Sequence, residues 1–538
     1  MVETPKRWRE DFSKGIIHPI PYWILPQDAP EWYEIAREHP NLVVNEAETR
    51  AAYHQLEHGS PRVGGTREEK PDEVLNALNR IRSASISKGK IRFTALFHHL
   101  SEDLLHKAFH ELRFKAAPGC DKVTWTEYAA NENQNITSLR HRILAGSYYP
   151  KPVRRVNIPK ASGGLRPLGI CTVEDKTVQY ALKMILEEIY DPNFAETSFG
   201  FRPGTRAHDA LDDLYMAITT KPIDYILDAD IVGCFDNINQ SILLEILKDR
   251  IGDARILELI KRTLEAGILD QGAFRISDNG VIQGSPLSPL LANVFLDYVL
   301  DDFVEWWKAN FARGVVHYVR YADDFIIGFQ FKEEAEKFLE VLKDRLLCAG
   351  LRLNSKKTRL IPFGKKARII RDDNGDVNTE TFDFLGFTHK CGISWARRTF
   401  KLVRNTISGR LSKKLNDIKN KLDITLRKLS LEDNLKWINS VLQGYYAYFA
   451  VKDNIETLKC FRFAVMKLVF RGLHRLSQRC RWNWDSFNAF IGPRIIYASS
   501  SHPYPSDRIN ERRQTLRRLR RDLKSTGNIE HRYGIRPS

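Results

Sequence analysis

Residues 224–238 read DYILDADIVGCFDNI, and residues 315–329 read VVHYVRYADDFIIGF. The first stretch predicts an apolar strand that ends in carboxylates, the last of which is Asp230. In the second stretch two β-rich runs flank Asp323 and Asp324, which is typical of a hairpin with acids at its tip. Two strands that each present acids at one end can converge on a pair of divalent metal ions. Because an isolated Asp-Asp pair is more often a solvated turn, the surrounding motifs decide between the two interpretations.

The pattern of apolar residues divides the rest of the chain. From residue 148 to residue 390, short apolar strands alternate with amphipathic helices, which is the pattern of a layered domain that mixes α and β structure. After residue 400 the pattern predicts no further strands, and apolar residues recur at helical spacing. Two stripes mark this predicted helical unit: Leu411, Leu415, Ile418 and Leu422, then Leu458, Phe461, Val465 and Leu468.

Length and charge bound the classes of protein that fit. A chain of 538 residues exceeds a single hydrophobic core, so we expect several domains. The sequence has no run of ~18 uncharged apolar residues and no hydrophobic signal core, which predicts a cytoplasmic protein with no membrane partner. Residues 401–538 hold 29 Lys and Arg against 11 Asp and Glu, whereas residues 1–400 hold 54 against 56. The basic stretch predicts either a nucleic-acid-binding surface, which we favour, or a solvated helical face.

The motifs around the two acidic stretches are specific. Residues 228–236 (DADIVGCFD), residues 283–297 (QGSPLSPLLANVFLD) and the YADD turn resemble the palm motifs of reverse transcriptases in their order. Further blocks extend the resemblance, over residues 90–510, to bacterial group II intron-encoded reverse transcriptases and maturases: PKPVRRVNIPKASGGLRPLGI, SFGFRPG, GLRLNSKKT, ETFDFLGFTH, LQGYYAYFAVKDN, HRLSQR and PRIIYASSSHPYPSDRI. None of the seven cysteines stands in a C-x-x-C pair, so the chain resembles the type without a zinc-bearing nicking endonuclease.

The resemblance implies a fold and a domain order. We expect an α+β protein with the right-hand polymerase architecture, in which fingers and a ferredoxin-like palm precede an all-helical thumb or maturase domain. The predicted domains are an N-terminal extension of unknown role (1–88), the fingers and palm (89–390), the helical domain (391–495) and a basic C-terminal tail (496–538).

The resemblance also implies a site for two Mg²⁺ ions. The positions that match the family's metal ligands are Asp230, Ile231, Asp323 and Asp324. Lys357, in NSKKT, matches a late palm lysine that can donate a proton to departing pyrophosphate, and Lys356 is the alternative. Asp228 and Asp236 do not hold matching positions, so we expect capping or salt-bridging roles for both.

Further positions match residues that contact the substrate. Lys160 and Arg166 flank a glycine-rich turn that in the family folds onto the incoming triphosphate. Phe235 stands five residues after Asp230, where a bulky side chain excludes ribonucleotides by contact with the sugar 2′ position. Gln283 and Gly284 match a loop that approaches the templating base pair. A primer grip is expected at three consecutive residues, Phe384, Leu385 and Gly386.

The function that the resemblance implies is RNA-directed DNA polymerisation. Its partners would be an RNA template, a DNA primer, dNTPs and a structured intron RNA that the protein helps to splice and move. One alternative is a domesticated enzyme that serves antiphage defence or DNA repair with a dedicated non-coding RNA. Another is an RNA-binding maturase with a dead active site, against which the intact Asp230, Asp323 and Asp324 argue.

Overall fold

The computed structural model describes residues 73–87, 91–159, 164–270, 273–275, 279–367, 380–393, 399–476, 482–500, 502 and 504–506. The chain forms two compact units. Unit 1 comprises the described parts of Met1–Ala210, Leu227–Ile327 and Phe331–Leu360, and unit 2 those of Leu211–Ile226, Gly328–Gln330 and Ile361–Ser538. Most of the predicted N-terminal extension and basic tail lies outside the described residues. In the part of the chain that is described, no helix has the length and apolar character needed to cross a lipid bilayer.

The regular elements are numbered in chain order. The α-helices are α1 Glu73–Ser87, α2 Glu102–His110, α3 Trp125–Ala129, α4 Glu132–Leu144, α5 Val173–Tyr190, α6 Ala207–Thr220, α7 Cys234–Asn237, α8 Gln240–Arg250, α9 Ala254–Leu264, α10 Ser288–Leu296, α11 Asp302–Asn310, α12 Lys332–Cys348, α13 Ser408–Thr425, α14 Leu431–Phe449, α15 Ile455–Leu476 and α16 Trp484–Phe490. The strands are β1 Val153–Pro159, β2 Leu165–Ile170, β3 Tyr225–Asp230, β4 Ile268–Asp270, β5 Ala273–Arg275, β6 Val316–Tyr321, β7 Asp324–Phe329, β8 Arg359–Pro362, β9 Phe382–Phe384, β10 Phe387–Ile393 and β11 Phe400–Thr406.

The sheet that carries both acidic stretches has four strands in the order β6-β7-β3-β8. Along the chain, β3 is followed by helices, then by β6 and β7, by α12 and by β8, which is the βαββαβ succession of a ferredoxin-like core. Both strands of the β6–β7 hairpin carry fully buried apolar residues, such as Val319 and Ile327. The predicted α+β class and ferredoxin-like palm are confirmed.

A second four-stranded sheet lies in unit 1 and has the order β2-β1-β4-β5. Strands β1 and β2 form an antiparallel hairpin, in register from Arg154 opposite Ile170 to Pro159 opposite Leu165. Strand β1 also pairs with β4 in parallel. Helix α5 follows β2 and begins at Val173. The side-chain oxygen of Thr172, the residue before it, accepts a hydrogen bond from the backbone N–H of Asp175 and caps the helix. The hairpin is therefore joined at its base to a buried helix of the same unit.

Unit 2 combines a three-stranded sheet, ordered β11-β10-β9, with helices α13 to α16. The strands continue to Thr406, so the expectation of no strand after residue 400 is wrong. The buried positions of β11 are Leu402, Arg404 and Thr406. Because only the first of these is apolar, the alternation that identifies a strand is hidden in the sequence. From Ser408 onward the named elements are helices. Helix α13 packs against α15, and each predicted stripe contributes buried residues, among them Ile418 and Leu458.

Candidate active site

The acidic turn, residues 321–324, joins β6 to β7 in unit 1. Its two loop residues are Ala322 and Asp323, and Asp324 is the first residue of β7. Ala322 has a left-handed backbone with φ of 59°, as two-residue hairpin loops of the primed types require. The turn therefore presents Asp323 and Asp324 at the end of a buried hairpin. Asp230 is the last residue of β3, which lies next to β7 in the sheet.

The three aspartates share one electrostatic environment. Partial removal from water raises the pKa of Asp324 to about 6, and the charges of Asp323 and Asp230 add to this effect, while Lys357 opposes it. Burial also raises the pKa of Asp323, and Asp230 adds to that shift, while Arg166 opposes it. Asp230 and Asp323 therefore lie close enough to Asp324 to repel its charged form, and a divalent cation is the kind of group that relieves such repulsion.

Asp230 is held by two side chains of the NSKKT block. The ammonium of Lys357 lies 3.1 Å from Oδ2 and 3.3 Å from Oδ1 of Asp230. Asn354 donates from Nδ2 to Asp230 Oδ2 at 3.1 Å and from its backbone N–H to the Asp230 carbonyl at 2.7 Å. The structure thus brings Lys357 to the acids, whereas Lys356 donates its backbone N–H to Asn354 Oδ1. Sequence reasoning missed Asn354, although its place in the same block as Lys357 was an available signal.

The donors of this cluster fit a hard divalent cation, because carboxylate and carbonyl oxygens are the ligands that Mg²⁺ prefers. Within the described residues, no three His, Cys, Asp or Glu side chains are arranged to hold one ion. A main-chain oxygen adds to the set. Val232 donates to the Arg352 carbonyl and Asn354 to the Asp230 carbonyl, which places Ile231 in the narrow, non-hydrogen-bonded pair with Leu353. The Ile231 carbonyl consequently points away from Leu353, to the other side of its strand.

A buried arginine directly before the acidic turn was not predicted from the sequence. Arg320 is fully buried, forms an ion pair with Asp301, and donates to Asn293 Oδ1 at 2.9 Å and to the Ala322 carbonyl at 3.0 Å. Asn293 in turn donates from Nδ2 to the Gly200 carbonyl at 2.7 Å. The signal in the sequence was a charged residue inside an apolar strand, because such a residue is almost never buried without partners.

The residues predicted to contact the nucleotide lie along β2 and the loop packed on it. Arg166 is an exposed residue of β2, and Lys160 lies outside the described residues. Gly169 of the same strand donates its N–H to the Gln283 carbonyl at 2.7 Å. Gly284 has φ of 109°, and a Cβ on it would come within 2.7 Å of the Gly169 carbonyl oxygen. Only glycine fits this close approach, so the loop is fixed against the hairpin that carries Arg166.

The same loop reaches the short helix after β3. Phe235 is half-buried on α7, and the next residue, Asp236, accepts a hydrogen bond from Gln283 Nε2 at 3.2 Å. Asp228, earlier on the strand, forms an ion pair with Arg359 at 3.1 Å, in agreement with the predicted salt-bridging role. The charge of Asp230 acts on Asp324 more strongly than that of Asp228, and Phe235 lies five residues after Asp230 in the chain.

The predicted primer-grip residues lie in unit 2, at the hairpin between β9 and β10. Leu385 and Gly386 have φ of 46° and 88°, as a type I′ turn requires. Phe384 is buried, whereas Leu385 is half-buried and its carbonyl accepts a hydrogen bond from the Tyr448 hydroxyl at 2.8 Å. A Cβ at Gly386 would lie 2.9 Å from Arg410 Nη1. The structure thus assigns Phe384 to the core and places Leu385 in a strained, braced turn.

A template-directed polymerase palm is the class of protein that this sheet and its acidic end define. The sequence profile described as reverse transcriptase (RNA-dependent DNA polymerase) matches residues 158–389. The chain belongs to the reverse transcriptase family, and the predicted resemblance to its group II intron-encoded members is confirmed. Proteins of this family act on RNA templates and nucleic-acid primers and use divalent metal ions.

Individual relatives cover different shares of the chain. It is 34% identical over 276 residues to Protein YkfC of Escherichia coli strain K12, which is 45% of this chain and 72% of YkfC. It is 35% identical over 242 residues to the group II intron-encoded protein LtrA of Lactococcus lactis subsp. cremoris, which is 45% of this chain and 40% of LtrA. An uncharacterized 91 kDa protein in the cob intron of Schizosaccharomyces pombe is 30% identical over 397 residues, 61% of this chain and 47% of that protein. The chain thus spans less than half the length of the last two relatives.

Proposed function

We propose that this protein is an RNA-directed DNA polymerase that adds dNTPs to the 3′ end of a DNA primer, and that it binds its own group II intron RNA to assist splicing and mobility. The observation that carries the proposal is the cluster of Asp230, Asp323 and Asp324 at one end of a ferredoxin-like sheet. The names of relatives such as LtrA and the cob intron protein favour the intron role over antiphage defence or DNA repair.

In this proposal the acids and one main-chain oxygen hold two Mg²⁺ ions. Asp230, Asp323, Asp324 and the carbonyl of Ile231 would be the protein ligands. When bound, Mg²⁺ supplies the positive charge that activates a primer 3′-hydroxyl and neutralises the phosphates. The hairpin and β3 fix the carboxylates before substrate arrives, so little reorganisation remains at the moment of reaction.

Other residues of unit 1 handle the nucleotide. Arg166 on β2 and Lys160, which follows β1 in the sequence, would neutralise the triphosphate. Phe235 would exclude a ribose 2′-hydroxyl, and the fixed loop at Gln283 and Gly284 would support the templating base pair. Lys357, already in contact with Asp230, would donate a proton to the departing pyrophosphate.

Unit 2 would bind the nucleic acid. The turn at Leu385 and Gly386, braced by Tyr448, would support the primer end. The excess of Lys and Arg after residue 400 would neutralise phosphates of template and intron RNA. Aromatic residues among these charges, such as Trp437 with Lys421 stacked on it at 4.4 Å, suit such a surface.

Primer extension on an RNA template tests the polymerase proposal. The full-length protein, an oligo(dT) primer on poly(rA), dTTP and Mg²⁺ are sufficient. Asp323→Ala and Asp324→Ala should each reduce extension at least about 10³-fold, because a metal pair without one hard ligand loses its in-line geometry.

The matched control is Asp228→Asn, which removes an acid from the same strand as Asp230 and breaks its ion pair with Arg359. This variant should keep extension within about tenfold of wild type, as expected for a partly exposed ion pair. Activity of Asp323→Ala or Asp324→Ala in that same range would show that these acids do not hold the metal.

A further inference from the structure

We propose that Arg320, together with Asp301 and Asn293, is a positioning residue that fixes the acidic turn in its metal-binding conformation. The inference rests on the proposed polymerase function and concerns how the turn that bears Asp323 and Asp324 is held. None of the three side chains is proposed to touch metal or substrate. They act through the backbone of Ala322.

The first step is the anchoring of the guanidinium. Arg320 is 0% exposed and Asp301 is 2% exposed. Nε of Arg320 donates to Asp301 Oδ1 at 2.7 Å and Nη2 donates to Oδ2, which is the planar two-point arrangement of an arginine–carboxylate pair. The Tyr318 hydroxyl donates to Asp301 Oδ1 at 2.6 Å. A guanidinium held at two points, with its carboxylate held by a third group, has one orientation.

The second step concerns the hydrogen bonds of the remaining guanidinium nitrogen, Nη1. Nη1 of Arg320 donates to Asn293 Oδ1 at 2.9 Å and to the Ala322 carbonyl at 3.0 Å. That carbonyl belongs to the peptide group whose nitrogen is that of Asp323. Fixing it limits the rotation of the peptide group that leads into the metal-binding acid, so the orientation of Arg320 is transmitted to Asp323 through a single hydrogen bond.

The third step is the strain of the turn itself. Ala322 has φ of 59°, a left-handed conformation that costs an L-residue with a Cβ about 1–2 kcal/mol. Such conformations persist where the surrounding structure over-determines them, and they gather at functional sites. The turn therefore needs other groups to hold it in this conformation, and the Arg320 hydrogen bond to the Ala322 carbonyl is one such contact. We call the group of Arg320, Asp301 and Asn293 the clamp.

The opposite side of the turn is also held. A Cβ at Gly200 would come within 2.2 Å of the Ala322 nitrogen, so this loop lies directly against the turn. Phe199 donates its N–H to the Arg320 carbonyl at 2.9 Å, and Arg320 donates its backbone N–H to the Thr197 carbonyl at 2.8 Å. Since Asn293 bonds both Arg320 and the Gly200 carbonyl, it links the two sides of the clamp.

A charge-balanced variant tests this role, because removing Arg320 alone would leave Asp301 buried and unpaired. Arg320→Met combined with Asp301→Asn removes both charges and keeps a side-chain oxygen near the Tyr318 hydroxyl. The matched control in unit 2 is Arg404→Met combined with Asp212→Asn, which removes another buried arginine–aspartate pair. For both variants we would measure thermal unfolding, the kcat of primer extension at saturating substrates, and the Mg²⁺ concentration at half-maximal rate.

The Arg320 and Asp301 variant should lose about 10²-fold in kcat, which is the scale for a small misplacement of catalytic groups, and should need about tenfold more Mg²⁺. The Arg404 and Asp212 variant should unfold at a lower temperature but keep the wild-type Mg²⁺ dependence. A wild-type kcat and Mg²⁺ dependence in the first variant, with only a lower unfolding temperature, would overturn the proposal.

Mn²⁺ binding without turnover separates this proposal from the polymerase function. If wild-type protein does not extend a primer on RNA, the polymerase function fails and the clamp is judged on Mn²⁺ affinity alone. A roughly tenfold weaker affinity confined to the Arg320 and Asp301 variant supports the clamp, and equal affinity in both double variants contradicts it.

Discussion

Two buried arginines, one in each unit, show how differently the same residue type is used. Arg320 in unit 1 and Arg404 in unit 2 are 0% and 2% exposed, and each is paired with a buried aspartate. Arg320 meets Asp301 at two points and extends a third nitrogen to the carbonyl of Ala322. Arg404 donates to Asp212 at 3.1 Å and lies over the Tyr215 ring at 5.0 Å.

The difference lies in what each guanidinium bonds beyond its aspartate. Within the described residues, Arg404 Nε has no hydrogen-bond partner, and its known contacts are a carboxylate and an aromatic face. An arginine of that kind joins elements of its own unit. Arg320, in contrast, also donates a hydrogen bond to the backbone of the acidic turn, at the Ala322 carbonyl. A buried charge is therefore informative about function when its hydrogen bonds end on the segment that carries the chemistry.

Among the variants that test this comparison, we expect the largest change in primer extension from a glycine replacement beside the acidic turn. Gly200→Ala places a Cβ within 2.2 Å of the Ala322 nitrogen, so either the loop or the acidic turn must move. We expect about a 10²-fold loss of primer extension. Gly444→Ala is the counterpart in unit 2, where Gly444 is an exposed residue of α14 and an added Cβ meets nothing within 4 Å.

Gly444→Ala should stabilise the protein by about 0.5–1 kcal/mol, since alanine restricts the unfolded chain and favours the helix. Primer extension and chemical denaturation measure both variants. Unchanged extension by Gly200→Ala would mean that the loop does not press on the turn, and a loss of stability in Gly444→Ala would show a constraint in α14 that its open surroundings do not explain.

The smaller effects concern buried titratable groups, and the two units should respond to pH in opposite directions. In unit 1, burial raises the pKa of Glu187 to about 7, against the opposing charge of Lys183. In unit 2, burial lowers the pKa of His389 to about 3, and the charge of Arg404, its neighbour across the β10–β11 pair, adds to this shift. His389 also stacks on Phe382, a position that a phenylalanine ring can occupy.

Glu187 favours the protonated form in the folded protein, so its contribution to stability is lost as pH rises from 4.5 to about 7. Glu187→Gln should match wild type near pH 4.5 and gain up to ~3 kcal/mol at pH 8. His389 stays neutral in the folded protein, so stability is lost as pH falls below about 6.5. His389→Phe should therefore gain on wild type by ~1.4 kcal/mol for each pH unit below that value.

Denaturant unfolding between pH 4.5 and pH 8 measures both differences from wild type. A Glu187→Gln advantage that does not grow with rising pH would mean that Glu187 is ionised in the folded state. A His389→Phe advantage that is constant below pH 6.5 would mean that His389 takes up a proton without unfolding the sheet.

The parts of this structure that follow a local pattern could be predicted from the sequence. The apolar runs around Asp323 and Asp324 predict a hairpin with acids at its tip, and β6 and β7 have that form. The ordered motifs predict the ferredoxin-like palm, whose strand order agrees. In each case the residues that determine the structure are neighbours along the chain or belong to motifs that follow one another in a fixed order.

The parts that depend on distant contacts could not be predicted. Asp230 and Lys357 are separated by 127 positions, so the motif indicated both residues but not their ion pair. The clamp joins Arg320 to Gly200 through Asn293, and no local pattern records such a chain of hydrogen bonds. Strand β11 could not be predicted because its buried face carries Arg404, whose burial is explained by contacts with Asp212 and Tyr215, about 190 positions earlier in the chain.

The central claim is that Asp230 and the acidic turn form one divalent metal site. Binding of Mn²⁺ to the full-length protein, followed by electron paramagnetic resonance, tests it without turnover. Asp230→Asn and Asp324→Asn should each weaken Mn²⁺ binding at least about tenfold, because each removes a hard anionic ligand, while Asp228→Asn should bind as wild type does. Equal Mn²⁺ affinity in wild type, Asp230→Asn and Asp324→Asn would contradict the claim.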